Sequence, residues 1–215
     1  MLREIRKKLI ILGNRSPFPQ AVKDYLNDLE YREWLYMNMR LSGSILTAGD
    51  IDAILQGDCI MEATVEDHLM LDRLTELRNY IYRLTDLGAD LSPQILRDMQ
   101  AVTAGKRDDG KGEAIRQIMC FAGKLQAENG VNPLERAAAL HNLVRKLEPF
   151  EGNCDMLARA VMYYVMAQAG YPLAALKLTE AEYRQTGDSR QLAQLLGQAV
   201  SERLDLMMRL TCYEN

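Results

Sequence analysis

The stretch with the clearest chemical potential is LEPFEGNCDMLAR, which spans residues 147–159. Pro149 and Gly152 interrupt the sequence between two apolar helical patterns. A helix that starts after such a loop presents unpaired backbone N–H groups and the positive end of its dipole to the loop. The pattern therefore predicts a site that could hold an anion such as a phosphate.

Several side chains in this stretch could do chemistry, but each also has a structural explanation. Glu148 could accept a proton, yet an ordinary Glu titrates at about 4.3, against about 6.5 for His, so it is the weaker base. Cys154 could be a nucleophile, but no base partner is evident in the sequence. We expect Glu148 to be a solvated or capping carboxylate. Arg159 is expected to pair with a nearby acid, and His141 to be packed and hydrogen-bonded.

Helices must position this stretch, because apolar residues recur at intervals of three and four along nearly the whole chain. Caps, prolines and glycines predict helices over 20–40, 50–55 with Thr47 as cap, 64–87, 93–103 with Ser92 as cap, 114 onward, 132–147, 155–169, and a last helix that ends near 210. The polar, glycine-rich segment AGKRDDGKGE suits a mobile loop or a short hairpin. We place no domain boundary there, and the fold class is all-α.

Bulk composition excludes several function classes. The 26 Lys and Arg residues against 30 Asp and Glu residues give a net charge of -4, which provides no general attraction to nucleic acid. The four cysteines form no CxxC pair, so the sequence supports no zinc ribbon or thioredoxin-type motif. No apolar run approaches the roughly 18 residues that span a bilayer. We expect a cytoplasmic protein with no nucleic-acid or membrane partner.

The segments around the motif resemble the Fic (Fido) family, whose signature is His-Pro-Phe-x-Asp/Glu-Gly-Asn-Gly-Arg-x-x-Arg. ERAAALHNLVRKLEPF is similar to the helix that leads into the motif, and ARAVMYYVMAQAGYPL to the helix and Gly-Tyr-Pro that follow it. The resemblance covers about residues 20–205. It implies one Fic-like helical domain over 1–215, with an N-terminal extension over 1–60, a core over 61–215 and a short β-hairpin flap near 105–118.

The resemblance also assigns roles that this motif fulfils only in part. In the family the His is the general base, the acidic residue holds Mg²⁺, the Gly-Asn-Gly backbone cradles phosphates and the arginines bind terminal phosphates. Here Glu148 stands at the His position. Without a gap, Arg159 falls on the final Arg and Met156 on the first. A one-residue deletion places Glu151, Gly152 and Asn153 on the acidic-Gly-Asn positions, but then Asp155 and Ala158 replace the two arginines.

Neither register restores both arginines, so bidentate phosphate recognition is weakened. By resemblance, the catalytic position is Glu148 and the metal position is Glu151. The phosphate-loop positions are Gly152, Asn153 and Arg159. ATP and Mg²⁺ are implied as cofactors only if activity is retained, and the sequence establishes none.

The segment MRLSGSILTAGDIDAILQG resembles the family's inhibitory segment, in which a Glu pairs with the last motif Arg and blocks productive nucleotide placement. Asn38, Ser42 and Ser44 stand where the family has Ser, Glu and Asn, while Gly43 is retained. By resemblance, Ser42 and Gly43 are therefore the regulatory positions.

These observations lead to three hypotheses. The leading one is a Fic-like protein that has lost AMP transfer and serves as a binding or regulatory module, with a protein partner or as a homo-oligomer. The alternative is a divergent nucleotidyl- or phosphotransferase that uses Glu148 as base. The third is a helical protein-interaction module unrelated to Fic.

Overall fold

In the computed structural model, which describes residues 1–128, 130–152 and 154–212, the chain forms α-helices and no strand within those ranges. The helices are α1 (Leu2–Arg15), α2 (Gln20–Leu41), α3 (Ala48–Leu55), α4 (Val65–Asp86), α5 (Pro93–Ala104), α6 (Gly112–Ala127), α7 (Pro133–Leu147), α8 (Cys154–Gln168), α9 (Glu180–Gln185) and α10 (Ser189–Leu210). The predicted all-α class is confirmed.

Local capping chemistry explains where several helices begin. The Thr47 hydroxyl accepts a hydrogen bond from the backbone N–H of Asp50, and the backbone N–H of Thr47 donates to the Asp50 carboxylate, which completes a capping box. Ser92 caps α5 with Pro93 at the first position, as predicted. Because a capping Thr lies directly before the first helical residue, α3 begins at Ala48, two residues earlier than the expected start at 50.

Helix α8 is the centre of the core and carries the residues that follow the motif. Apart from Asp155 and Gln168, all of its residues are buried. It packs against α7, α4 and α5, while α7 also packs against α10, and α1 lies on α10. The helix that follows the candidate anion site is therefore held from several sides, so its first turn has a fixed position. No helix in the described ranges combines the length and apolar character needed to cross a membrane.

A loop and a helix, not a hairpin, occupy the region near 105–118. Residues 105–111 (the flap loop) contain no strand, and α6 already begins at Gly112. The backbone N–H of Lys111 donates to the carbonyl of Pro149 at 2.7 Å, and that of Gly110 donates to the Asp108 carboxylate at 2.8 Å. The loop thus makes its polar contacts with the motif and with its own side chain instead of with a second flap strand.

Candidate functional site

The motif loop, residues 148–152, leads from α7 into the segment before α8. Glu148 ends α7 in the left-handed conformation, with φ 42° and ψ 64°. It is the single non-glycine residue with positive φ in the described part of the chain. Its side chain is exposed, as expected for a solvated or capping carboxylate. The position that the resemblance assigns to the catalytic His therefore holds a strained, water-accessible acid.

A groove of about 750 Å³ opens beside the motif loop, between the end of α7, the start of α8 and residues 184–187. Glu148, Gly152 and Cys154 line it. Its charged walls consist of two acids, Glu148 and Asp155, and three basic side chains, Arg145, Lys146 and Arg184. The groove brings together Glu148 and Gly152 of the predicted site. Glu151 and Arg159 do not line it.

The three basic side chains were not anticipated from the sequence. Arg145 donates from Nε to the Asp155 carboxylate at 2.7 Å and lies over the Tyr183 ring, with its Cζ 5.0 Å from the ring centroid. Arg145 and Lys146 belong to the last turn of α7, where cations are favoured by the helix dipole. This position at the helix end was the signal available in the sequence. The groove therefore has basic as well as acidic walls.

Arg159 lies inside the protein, with 1% of its surface exposed. Its Nε donates to Oδ1 of Asn38 at 2.9 Å, and its Nη2 donates to Oγ of Ser42 at 2.8 Å. Its Cζ also lies 5.2 Å from the Tyr183 ring centroid. The expected pairing of Arg159 with a nearby acid is wrong, because Arg145 pairs with Asp155 while Arg159 turns toward α2.

The two acceptors of Arg159 are the positions that the resemblance assigns to the inhibitory segment. Asn38 is itself buried, and its amide nitrogen donates to the carbonyl of Trp34 at 2.9 Å, which fixes the orientation of its acceptor oxygen. Ser42 caps the end of α2, and Gly43 follows it with a positive φ of 90° beside Glu180. The segment therefore contacts α8 through neutral acceptors where the family has a carboxylate.

Glu151 is fixed through a hydrogen bond of its backbone N–H and not through its side chain. Its N–H donates to Oδ2 of Asp108 at 3.0 Å, while the Glu151 side chain is exposed. This bond, and a second one from Gly110, lowers the pKa of the Asp108 carboxyl below its usual value. The flap loop and the motif loop are thus joined through Asp108.

The described residues do not reproduce the Mg²⁺ and nucleotide site that the resemblance implies. No group of three His, Cys, Asp or Glu side chains within these residues could hold a metal ion, and Glu151 stands outside the groove. Met156, at the first Arg position, is buried in the core, and the Arg159 guanidinium is hydrogen-bonded to a side chain of α2. Asn153, assigned to the phosphate loop, lies outside the described residues.

His141 and Cys154 are both buried. His141 is fully buried, with Nε2 2.7 Å from the Tyr183 hydroxyl and Nδ1 2.8 Å from Oδ1 of Asn142, so the predicted packed histidine is confirmed. Burial lowers the pKa of His141 to about 4. The Cys154 thiol donates to the carbonyl of Phe150 at 3.4 Å, and burial raises its pKa, which opposes formation of a reactive thiolate.

Solved structures with this architecture identify the fold. A Fic domain containing signaling protein from Bacteroides thetaiotaomicron superposes with a TM-score of 0.80 at 16% identity, over 99% of this chain and 98% of that one. The chain has the Fic fold. Fic-1 from C. elegans gives a TM-score of 0.74 at 17% identity, over 97% of this chain and 71% of that one. A Fic family protein from Desulfovibrio desulfuricans gives 0.63 at 11% identity, over 98% and 70%.

No protein-family model and no curated protein matches the sequence. The Fic fold is therefore evident in the arrangement of the helices, while the sequence of the motif has diverged. The hypothesis of a helical module unrelated in fold to Fic proteins does not hold.

Proposed function

We propose that this protein is a Fic (Fido) family member that does not transfer AMP and acts as a binding or regulatory module. The observation that carries the proposal is the placement of Arg159. This side chain is buried, donates to Asn38 and Ser42, and does not line the groove at the motif. An arginine held in this way is unavailable to bind a terminal phosphate in the groove.

The contact of Arg159 with Ser42 supports the ungapped register of the motif. In the family, the last motif Arg meets the inhibitory Glu, and here the residue at that Arg position meets the residue at that Glu position. In this register Glu148 replaces the base and Met156 the first Arg. Both changes act against transfer, because an exposed carboxylate is a weak base and a thioether does not bind phosphate.

We also propose that residues 1–60 serve as the N-terminal extension of a core over 61–215. Its segment 38–43 anchors α8 through hydrogen bonds between neutral groups and Arg159. Such an anchor has no inhibitory charge, so its role in this protein is structural. A protein partner, assembly into homo-oligomers and a cytoplasmic location stay predictions from the sequence.

The alternative function is a divergent nucleotidyl- or phosphotransferase with Glu148 as base. The observation that favours it is the groove, where exposed Glu148 lies among Arg145, Lys146 and Arg184. Two of these cations are engaged, because Arg145 pairs with Asp155 and Arg184 with Glu180. Their charges are partly neutralised, which leaves the groove less attractive to polyphosphate than its residue types suggest.

Isothermal titration with ATP and with ADP, each with Mg²⁺, separates the two functions. We expect no micromolar binding of either nucleotide to the wild-type chain. Glu148→Ala and Arg145→Ala are the matched variants, one removing the proposed base and the other a groove cation. Micromolar binding that is lost in Arg145→Ala would favour the transferase and overturn the proposal that the nucleotide site is gone.

A further inference from the structure

A second cavity, of about 370 Å³, lies away from the motif among the end of α4, α6, α7 and α8. Its walls are partly apolar, with Leu91, Met119, Leu140 and Val165 lining it. The volume lies at the lower end of the range for small-ligand pockets, roughly 300–1,000 Å³. The cavity therefore has room for a compact metabolite with an apolar group.

Two opposite charges line this cavity without pairing. Asp90 and Arg136 both contribute to the lining, yet among the described residues neither forms an ion pair or a side-chain hydrogen bond. The Nε of Arg136 is buried and has no partner there. The other two guanidinium nitrogens of Arg136 are not buried, so a carboxylate in the cavity can accept charge-assisted hydrogen bonds from them.

The segment that carries Asp90 is held in place by α8. The carbonyl of Ala89, the residue before Asp90, accepts hydrogen bonds from the Tyr164 hydroxyl and from the side-chain amide of Gln168. Gln168 also donates to Tyr164 at 2.9 Å. The backbone beside Asp90 is therefore fixed, while the Asp90 side chain is exposed to solvent and lines the cavity. A backbone that is already ordered costs less entropy on binding than a mobile one.

We propose that this cavity binds a free amino acid with an apolar side chain. The α-carboxylate pairs with Arg136, the α-ammonium pairs with Asp90, and the apolar side chain packs against Leu140 and Val165. A zwitterion can pair with both charges at once, whereas a simple acid or a simple amine can pair with only one of them. The site is separate from the motif groove, so this proposal does not depend on the loss of AMP transfer.

Isothermal titration of the full chain with L-leucine, L-methionine and L-phenylalanine tests the proposal. We expect saturable binding of at least one of them at millimolar concentration or below. For that amino acid, its C-terminal amide lacks the carboxylate and its N-acetyl form lacks the ammonium. Each should bind at least about tenfold more weakly, because each loses a charge-assisted hydrogen bond. No binding of the three amino acids, or equal binding of the blocked forms, would overturn the proposal.

Variants distinguish loss of the site from loss of the fold. Arg136→Gln and Asp90→Asn should each weaken binding at least about tenfold, while the exposed controls Arg190→Gln and Asp86→Asn should leave it unchanged.

Gly123 of α6 also lines the cavity, and a Cβ atom there meets no atom within 4 Å. Gly123→Leu should therefore abolish binding without lowering the melting temperature, since Leu favours a helix more than Gly does. Binding that survives both Arg136→Gln and Gly123→Leu would contradict the assignment.

Discussion

Arg159 carries a full charge inside the helical core, where two neutral side chains from α2 accept its hydrogen bonds. The two acceptors differ in surroundings: Asn38 is buried at 1% exposure, while Ser42 is partly open to solvent. Removing a buried acceptor leaves a charged donor without a partner, whereas water can replace an acceptor near the surface. The two residues should therefore contribute unequally to stability.

Asn38→Ala should lower the free energy of unfolding by about 2–4 kcal/mol, because it leaves the buried Nε of Arg159 without an acceptor. Ser42→Ala should cost about 1 kcal/mol. Urea unfolding followed by circular dichroism measures both values. An equal or larger loss in Ser42→Ala would mean that Arg159 depends mainly on the surface contact.

Glu148 stores strain, because an L-residue with a side chain costs roughly 1–2 kcal/mol in the left-handed region, while glycine has no such cost. Glu148→Gly should raise the free energy of unfolding by up to about 1 kcal/mol, and the β-branched variant Glu148→Val should lower it. Thermal unfolding of the two variants tests the direction. Glu151→Gly, at a neighbouring position without positive φ, is the control and should give no increase.

At the scale of elements, the flap loop and the motif loop are in direct contact with each other. A Cβ atom on Gly110 would lie 2.5 Å from the ring of Phe150 and 2.7 Å from the carbonyl of Pro149, and its φ of 70° also disfavours other residues. Close approach of the two loops therefore requires glycine. Gly112, two residues later in α6, has no atom within 4 Å of such a Cβ.

Gly110→Ala should lower the free energy of unfolding by at least about 1–3 kcal/mol, through overpacking and backbone strain. Gly112→Ala should be neutral or slightly stabilising, because Ala favours the helix. Amide hydrogen exchange at Glu151 should become faster only in Gly110→Ala. Equal exchange in the two variants would show that the loops are not mechanically linked.

The stability of the link that the Asp108 carboxylate makes between these loops depends on pH. The pKa of Asp108 is lowered in the folded state by hydrogen bonds from Glu151 and Gly110, so its contribution is present above the ordinary Asp pKa. It is lost as the pH falls through the lowered value. The protection factor of the Glu151 amide, which is the intrinsic exchange rate divided by the observed rate at the same pH, should therefore fall at acidic pH in the wild-type chain. The Glu151 amide of Asp108→Ala should have a low protection factor at all pH values. A wild-type protection factor that does not change with pH would contradict the role of Asp108.

How far the sequence predicts these elements depends on the range of the interactions. The starts of α5 and α7 follow from Ser92-Pro93 and Asn132-Pro133, which act within a few residues. The partner of Arg159 could not be predicted in this way, because Asn38 lies 121 residues earlier in the chain. Asp155, only four residues before Arg159, was the more obvious partner in the sequence. The groove cations escaped prediction for a related reason: Arg184 reaches the groove from another helix through tertiary packing.

At the scale of the whole molecule, His141 links global stability to pH. Burial lowers its pKa from 6.5 to about 4, with smaller effects of the same sign from Arg145 and Arg159. Between these two pH values the unfolded chain binds a proton that the folded chain does not, so stability rises with pH across this window. The contribution is fully present above about 6.5 and is lost as the pH falls to about 4.

As the pH falls from 6.5 to 4, protonation of His141 should accordingly lower the free energy of unfolding of the wild-type chain by roughly 3 kcal/mol. Urea unfolding over this pH range measures the slope. His141→Gln should be less stable at neutral pH but should show a flatter profile. The exposed His68→Gln variant is the control and should keep the wild-type slope. An unchanged slope in His141→Gln would contradict the assignment.

Incorporation of labelled AMP tests whether this Fic fold has lost AMP transfer. The wild-type chain and Glu148→Ala are incubated with labelled ATP and Mg²⁺, alone and with lysate proteins. Because Arg159 is held by Asn38 and Ser42 and a carboxylate replaces the base, we expect no label above background in either sample. Label that is transferred by the wild type and lost in Glu148→Ala would contradict it.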